Sequence, residues 1–123
     1  MAIHHVSLVS LPVANQDRSV ALFRDKLGFE VRREAPMGPN RWIEIAPPGA
    51  QTSITLVTWF EQMPPGSVQG LVLNTTDVDA VHSRLDKAGV KVSEVQTAPW
   101  GRHCTLKDPD GNGLVIVQES GQQ

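Results

Sequence analysis

The chain holds a single cysteine, Cys104, so it can form no internal disulfide. That scarcity fits a reducing compartment, and a cytoplasmic location is the expectation. Cys104 reads as a small buried apolar residue facing the helices, and no nucleophile constellation surrounds it. An excess of positive charge is also lacking: 11 Lys and Arg stand against 13 Asp and Glu, for a net charge of −2. With no basic face evident, nucleic acid is a poor partner. No apolar run approaches the roughly 18 residues that span a membrane. The Met-Ala-Ile-His-His start lacks the charged end and apolar core of a signal peptide. The glycines form no phosphate loop, and Asp108–Asn112 is too short for a calcium loop.

What is present reads as an ordinary soluble protein, 40% hydrophobic and 20% charged. A length of 123 residues suits one compact domain, residues 1–123. Within it the same punctuation occurs twice. Asp25-Lys26-Leu27-Gly28-Phe29 recurs as Asp86-Lys87-Ala88-Gly89-Val90, an offset of 86 − 25 = 61. Two similar halves follow, module 1 over about 1–62 and module 2 over about 67–120, with Pro64-Pro65-Gly66 as the connector. Halves of this size fold alone only marginally, so a shared core is expected.

Each half reads strand-helix-strand-strand-strand, an α+β pattern. His4–Val9 alternates and suggests the first strand, ended by Pro12 and Asn15. Asp17 can cap a helix that places Val20, Phe23 and Leu27 on one side, and Gly28 stops it. Strands are expected over 29–33, 42–46 and 53–58, with a loop over 36–40. The second half repeats this: a strand over 70–74, a helix started by Thr76 or Asp77 and stopped by Gly89, then strands over 90–95, 102–107 and 114–118. Asp108-Pro109-Asp110-Gly111-Asn112 is a strong hairpin turn.

Strand side chains alternate between faces. Val6, Leu8, Ile43, Ile45, Ile54, Leu56, Leu71, Leu73, Leu114 and Ile116 form the more apolar set, expected under the helices. The opposite set mixes His5, Ser7, Trp42, Glu44, Ser53 and Thr55 with Val72, Asn74, His103, Thr105, Val115 and Val117. Aromatic, small polar and aliphatic side chains together suit a small-molecule cavity or a subunit contact. The plainer alternative is the solvated side of an antiparallel sheet.

The chain resembles the vicinal oxygen chelate superfamily: glyoxalase I, bleomycin-resistance proteins and extradiol dioxygenases. The residues that carry the resemblance are His5-Val6-Ser7-Leu8-Val9, the Phe23 to Phe29 helix end, Pro99-Trp100-Gly101-Arg102, and above all Asp108–Asn112 before the last strand. It covers essentially the whole chain. It implies paired βαβββ modules whose strands curl into a cleft with the helices outside, and a homodimer whose sites are often built from both subunits. It also implies metal-ligand positions on the first and fourth strand of each module. These map to His5, Thr55, Gly70 and Val115, of which His5 alone offers a good ligand. Zinc or nickel sites need about three to four nitrogen, sulfur or carboxylate donors. The expectation is therefore no metal and no cofactor; a divalent metal belongs to the alternative reading.

His5 is a metal ligand, a hydrogen-bonding cavity histidine or a packed structural one. His5, Glu44 and His103 could form a relocated site of two histidines and a carboxylate, or an acid–base group; Glu44 could equally pair with Arg41 or Arg102. Trp59 and Trp100 are expected at cleft rims, where flat ligands stack on tryptophan, the alternative being that Trp42, Trp59 and Trp100 are all structural. The expected ligand-binding set is thus His5, Trp42, Glu44, Thr55, Trp59, Asn74, Trp100, His103 and Val115, with catalytic candidates His5, Glu44 and His103. The expectation is a metal-free protein that binds a small, flat, apolar or aromatic molecule in a dimer cleft. The alternative is a glyoxalase-like lyase, isomerase or dioxygenase.

Overall fold

The computed structural model describes residues 2–119. The elements run β1 (Leu8–Pro12), α1 (Gln16–Val20) with a π-helical continuation (Ala21–Lys26), β2 (Glu30–Met37), β3 (Asn40–Ala46) and β4 (Ser53–Val57). The second half runs β5 (Leu71–Asn74), α2 (Val78–Lys87), β6 (Gln96–Ala98), β7 (Gly101–Lys107) and β8 (Gly113–Glu119). They form two four-stranded mixed sheets, ordered β1-β4-β3-β2 and β5-β8-β7-β6. In each the first strand lies parallel to the last, and the other pairings are antiparallel. This is the expected α+β arrangement of paired βαβββ modules. The curled sheet consists of two separate ladders, and neither is closed.

Local chemistry explains the helices. Asn15 caps α1, accepting from the Arg18 N–H and so satisfying one of the donors that a helix start leaves free. The expected cap, Asp17, lies instead in the first turn, where its charge suits the helix dipole. Asp77 caps α2 as expected. From Asn15 to Gly28 is 28 − 15 = 13 residues, while from Asp77 to Gly89 is 89 − 77 = 12. The π segment, in which the Leu27 N–H donates to the Leu22 carbonyl at 3.1 Å, accommodates the extra residue. Gly28, at φ +79°, then ends the helix in a conformation that other residues resist.

Three strand expectations are corrected. β1 spans Leu8–Pro12, not His4–Val9, because its partner β4 begins only at Ser53, after the Pro47-Pro48-Gly49 turn. The segment before β1 is held by Ser53 N–H to the Ser7 carbonyl and by Thr52 Oγ1 to the Val6 carbonyl. β2 and β3 are joined through Gly38-Pro39, so the expected 36–40 loop is mostly strand; Pro36 is tolerated on the edge strand β2. Residues 90–95 form no strand, only a bridge from Val92 to Leu106, and β6 follows at Gln96–Ala98.

The β1 shift also reverses its faces. Val9 pairs with Ile54 and Leu11 with Leu56, so the odd residues point to the helices, while Leu8 and Ser10 share the opposite face with Ser53 and Thr55. Val6, assigned to the core, is exposed.

One hydrophobic cluster draws on both modules, with Leu11, Phe23, Ile43, Ile45 and Leu56 from the first and Val78, Leu85, Cys104, Leu114 and Ile116 from the second. Phe23 is fully buried against Phe29, with ring centroids 5.1 Å apart. The 108–112 turn clasps the modules together. Asp110 Oδ1 accepts from the Ala14 N–H and from Arg18, and the fully buried Asn112 donates to the Pro12 carbonyl.

Candidate functional site

On the first sheet, register brings Ser10, Glu44 and Thr55 side by side, since Thr55 pairs with Ser10 on β1 and with Glu44 on β3. Trp42, two residues before Glu44, shares that face. Its Nε1–H points at Glu44 Oε1, 3.4 Å away. Trp59, just beyond β4, stacks on Trp42 with centroids 6.4 Å apart and planes 26° apart, and Phe60 extends the group at 6.1 Å from Trp59. Both indoles are half-buried. Beside them Thr55 is fully buried, and its hydroxyl has no hydrogen-bond partner. Glu44 pairs with neither expected arginine. Arg41 is held by Asp17 and Glu34, and Arg102 by Asp79. The Arg41 guanidinium, hydrogen-bonded to Asp17, keeps that carboxyl below its ordinary range.

The second sheet carries a smaller counterpart. Trp100, exposed in the turn before β7, lies 4.3 Å from the His103 ring, the planes 31° apart. His103 pairs with Val117, and Thr105 with Val115. On the other flank of β8, Val72 pairs with Val115 and Asn74 with Val117. One face thus holds His103, Thr105, Val115, Val117, Val72 and Asn74. His103 Nδ1 is buried and has no partner. Burial, with the charge of Asp79 behind it, pushes the Cys104 thiol up, and Cys104 lies on the opposite, core side of β7.

Three sizeable cavities lie elsewhere. One of about 650 Å³ between the modules is lined by Val9, Ile54, Leu71, Leu73 and Ile116. One of about 690 Å³ includes Gly70, Lys91, Ser93, Lys107 and Val115. One of about 720 Å³ lies by Gln16, Glu34, Arg41 and Thr58. None of these three is lined by Trp42, Trp59, Trp100 or His103.

The family model of the Glyoxalase/Bleomycin resistance protein/Dioxygenase superfamily matches residues 2–116. The chain belongs to that superfamily. It is 45% identical to TnmS3, an antibiotic-binding protein from Streptomyces sp. CB03234, over 98% of this chain and 99% of that one, with a TM-score of 0.94. A glyoxalase/bleomycin resistance protein from the same Streptomyces is 42% identical, over 93% and 100% of the two chains, with a TM-score of 0.85. The uncharacterized protein YetH of Bacillus subtilis (strain 168) is 31% identical over 94% of this chain and 99% of its own.

Within this superfamily member the metal positions can be checked against the fold. Gly70 lies 77 − 70 = 7 residues before the cap of α2; the residue 15 − 8 = 7 before the cap of α1 is Leu8. His5 therefore does not stand at the counterpart of Gly70. It lies exposed, three residues before β1. Leu8, Gly70 and Val115 offer no side-chain donor to a metal, and Thr55 offers only a hydroxyl, so the residues present do not fit a divalent site. The relocated site is not assembled either: among the described residues, no three of His, Cys, Asp and Glu are grouped to hold a metal.

Alternation along β3 and β4 was enough to place Trp42, Glu44 and Thr55 together. Phe60 and Ser10 were missed. Phe60 lies outside any strand, and the face of Ser10 depends on a register that the sequence misread. No helix among the described residues is long and apolar enough to cross a membrane.

Proposed function

We propose that the protein is a metal-free binding protein that sequesters a small, flat, largely aromatic molecule, in a cleft completed by a second copy of the chain. The observation that carries this reading is the Trp42–Trp59 stack, extended by Phe60 and set beside the Glu44 carboxylate. An apolar face with a few placed polar groups is the usual make-up of a small-molecule site, and the likeness to an antibiotic-binding protein supports an antibiotic-like ligand.

Trp42 and Trp59 are part-exposed, Trp100 is exposed, and none of them lines the three sizeable cavities, whereas ligand sites commonly enclose most of their ligand. A second copy would supply the missing wall. Val6, Val9 and Val72, at 60%, 40% and 58% exposed, support this, because exposed apolar groups beside the free edges of β1 and β5 favour association.

Quenching of tryptophan fluorescence by a panel of planar aromatic antibiotics tests the reading, with sedimentation to count subunits. Saturable quenching is expected. Trp59→Ala should cost about 1–2 kcal/mol of affinity, roughly five- to thirty-fold. A panel that produces no saturable change, or a Trp59→Ala protein that binds unchanged, would end the proposal.

A further inference from the structure

The His103 ring is the one group on the second aromatic face whose two nitrogens meet different surroundings. Nδ1 is buried and unpartnered, while Nε2 is not among the buried unpartnered atoms and has no hydrogen-bond partner among the described residues, which leaves it at least partly exposed. A proton on Nδ1 would be a buried N–H with nothing to accept it, and such donors are rarer in folded proteins than unsatisfied acceptors. A proton on Nε2 meets water or a ligand. Trp100 lies against the imidazole, ring centroids 4.3 Å apart and planes 31° apart, and the buried Nδ1 leaves the Nε2 edge as the outward one.

We infer that His103 is held as the Nε2–H tautomer and acts as a specificity-determining donor, selecting aromatic ligands that carry a carbonyl oxygen. The inference rests on the binding reading above and narrows its ligand class. Aromatic stacking accepts any flat ring, whereas a fixed N–H donor discriminates a ketone from the parent hydrocarbon. Trp100 is a positioning residue here and His103 the one that touches the ligand.

The test pairs 9-fluorenone with fluorene, which share a ring system and differ by one carbonyl. Each is titrated against wild type, His103→Phe and His103→Gln by tryptophan quenching. Wild type should prefer the ketone by on the order of tenfold, the scale of one hydrogen bond. His103→Phe should lose that preference, read as the ratio of the two affinities whatever the change in each, and His103→Gln, whose amide retains an N–H donor, should recover most of it. Equal affinity of wild type for the two probes, or a preference unchanged in His103→Phe, overturns the assignment and leaves the binding reading standing. Failure of both probes to bind wild type sinks the two together. Long-range proton–nitrogen correlation on ¹⁵N-histidine-labelled wild type, which needs no variant to fold, should show the His103 proton on Nε2; a proton on Nδ1 also overturns the proposal.

Discussion

Asn112 and Pro12 stand 100 residues apart and are joined by a 2.8 Å hydrogen bond from the asparagine Nδ2 to the proline carbonyl. The same amide donates to Asp108 Oδ2 at 2.7 Å and accepts from the Val68 N–H at 3.0 Å. One fully buried side chain thus ties the end of β1, the entry to β5 and the β7–β8 turn.

Asn112→Ala would strand a carbonyl, an N–H and a carboxylate oxygen in the interior. Each buried group left unpaired costs about 1–3 kcal/mol, and partial relaxation reduces the sum. The expected loss is about 2–4 kcal/mol, read as a lower urea midpoint at unchanged slope. A loss under about 1 kcal/mol would show that the clasp contributes little.

Gly66 and Gly28 both have positive φ, but their surroundings differ. A Cβ on Gly66 would run into the Asp110 carbonyl, whereas one on Gly28 meets open space. Gly28→Ala should cost about 1 kcal/mol, the conformational term alone. Gly66→Ala should cost distinctly more, because the connector must move off the 108–112 turn. Equal melting temperatures for the two variants would contradict this.

Cys104 sets an alkaline limit. Burial raises its thiol, so the unfolded thiol ionises first as pH rises. Its contribution to stability is full below the unfolded value, roughly pH 8.5, and is lost progressively above it. Cys104→Ala lacks this term, so its stability deficit against wild type at pH 7 should shrink by pH 10. Denaturant midpoints at the two pH values decide it. The native protein should also resist thiol reagents that label it readily once unfolded.

The donor set predicts metal behaviour. Chelator-treated protein given nickel, zinc, manganese or iron should retain well under one equivalent per chain after desalting. His5→Ala should retain the same amount, because His5 lies outside the ladder. Stoichiometric metal that is lost in His5→Ala would return the enzyme reading to the front.

Much of the fold was legible because its signals are local. Asp77, Gly28 and Gly89 mark helix ends through capping and left-handed geometry, and Asp108–Asn112 marks a turn through its own side-chain hydrogen bonds. Asn15 was passed over for Asp17 because both residue types can cap and they stand two positions apart. His4–Val9 misled because alternation shows that a strand is possible, not which residues find a partner.

The sequence by itself determined the two-module plan, the α2 cap, the glycine stops of both helices, and the core positions on β3, β4 and β8, since each depends on residue type and short spacing. Only the tertiary structure decided that Leu8 rather than His5 is the counterpart of Gly70, that Trp42 stacks on Trp59, that Glu44 takes the Trp42 N–H instead of an arginine, and that His103 buries one nitrogen and frees the other. The reason is physical: register, stacking and burial of a single atom depend on where another strand ends. That is set by packing across the fold and not by the residues alongside.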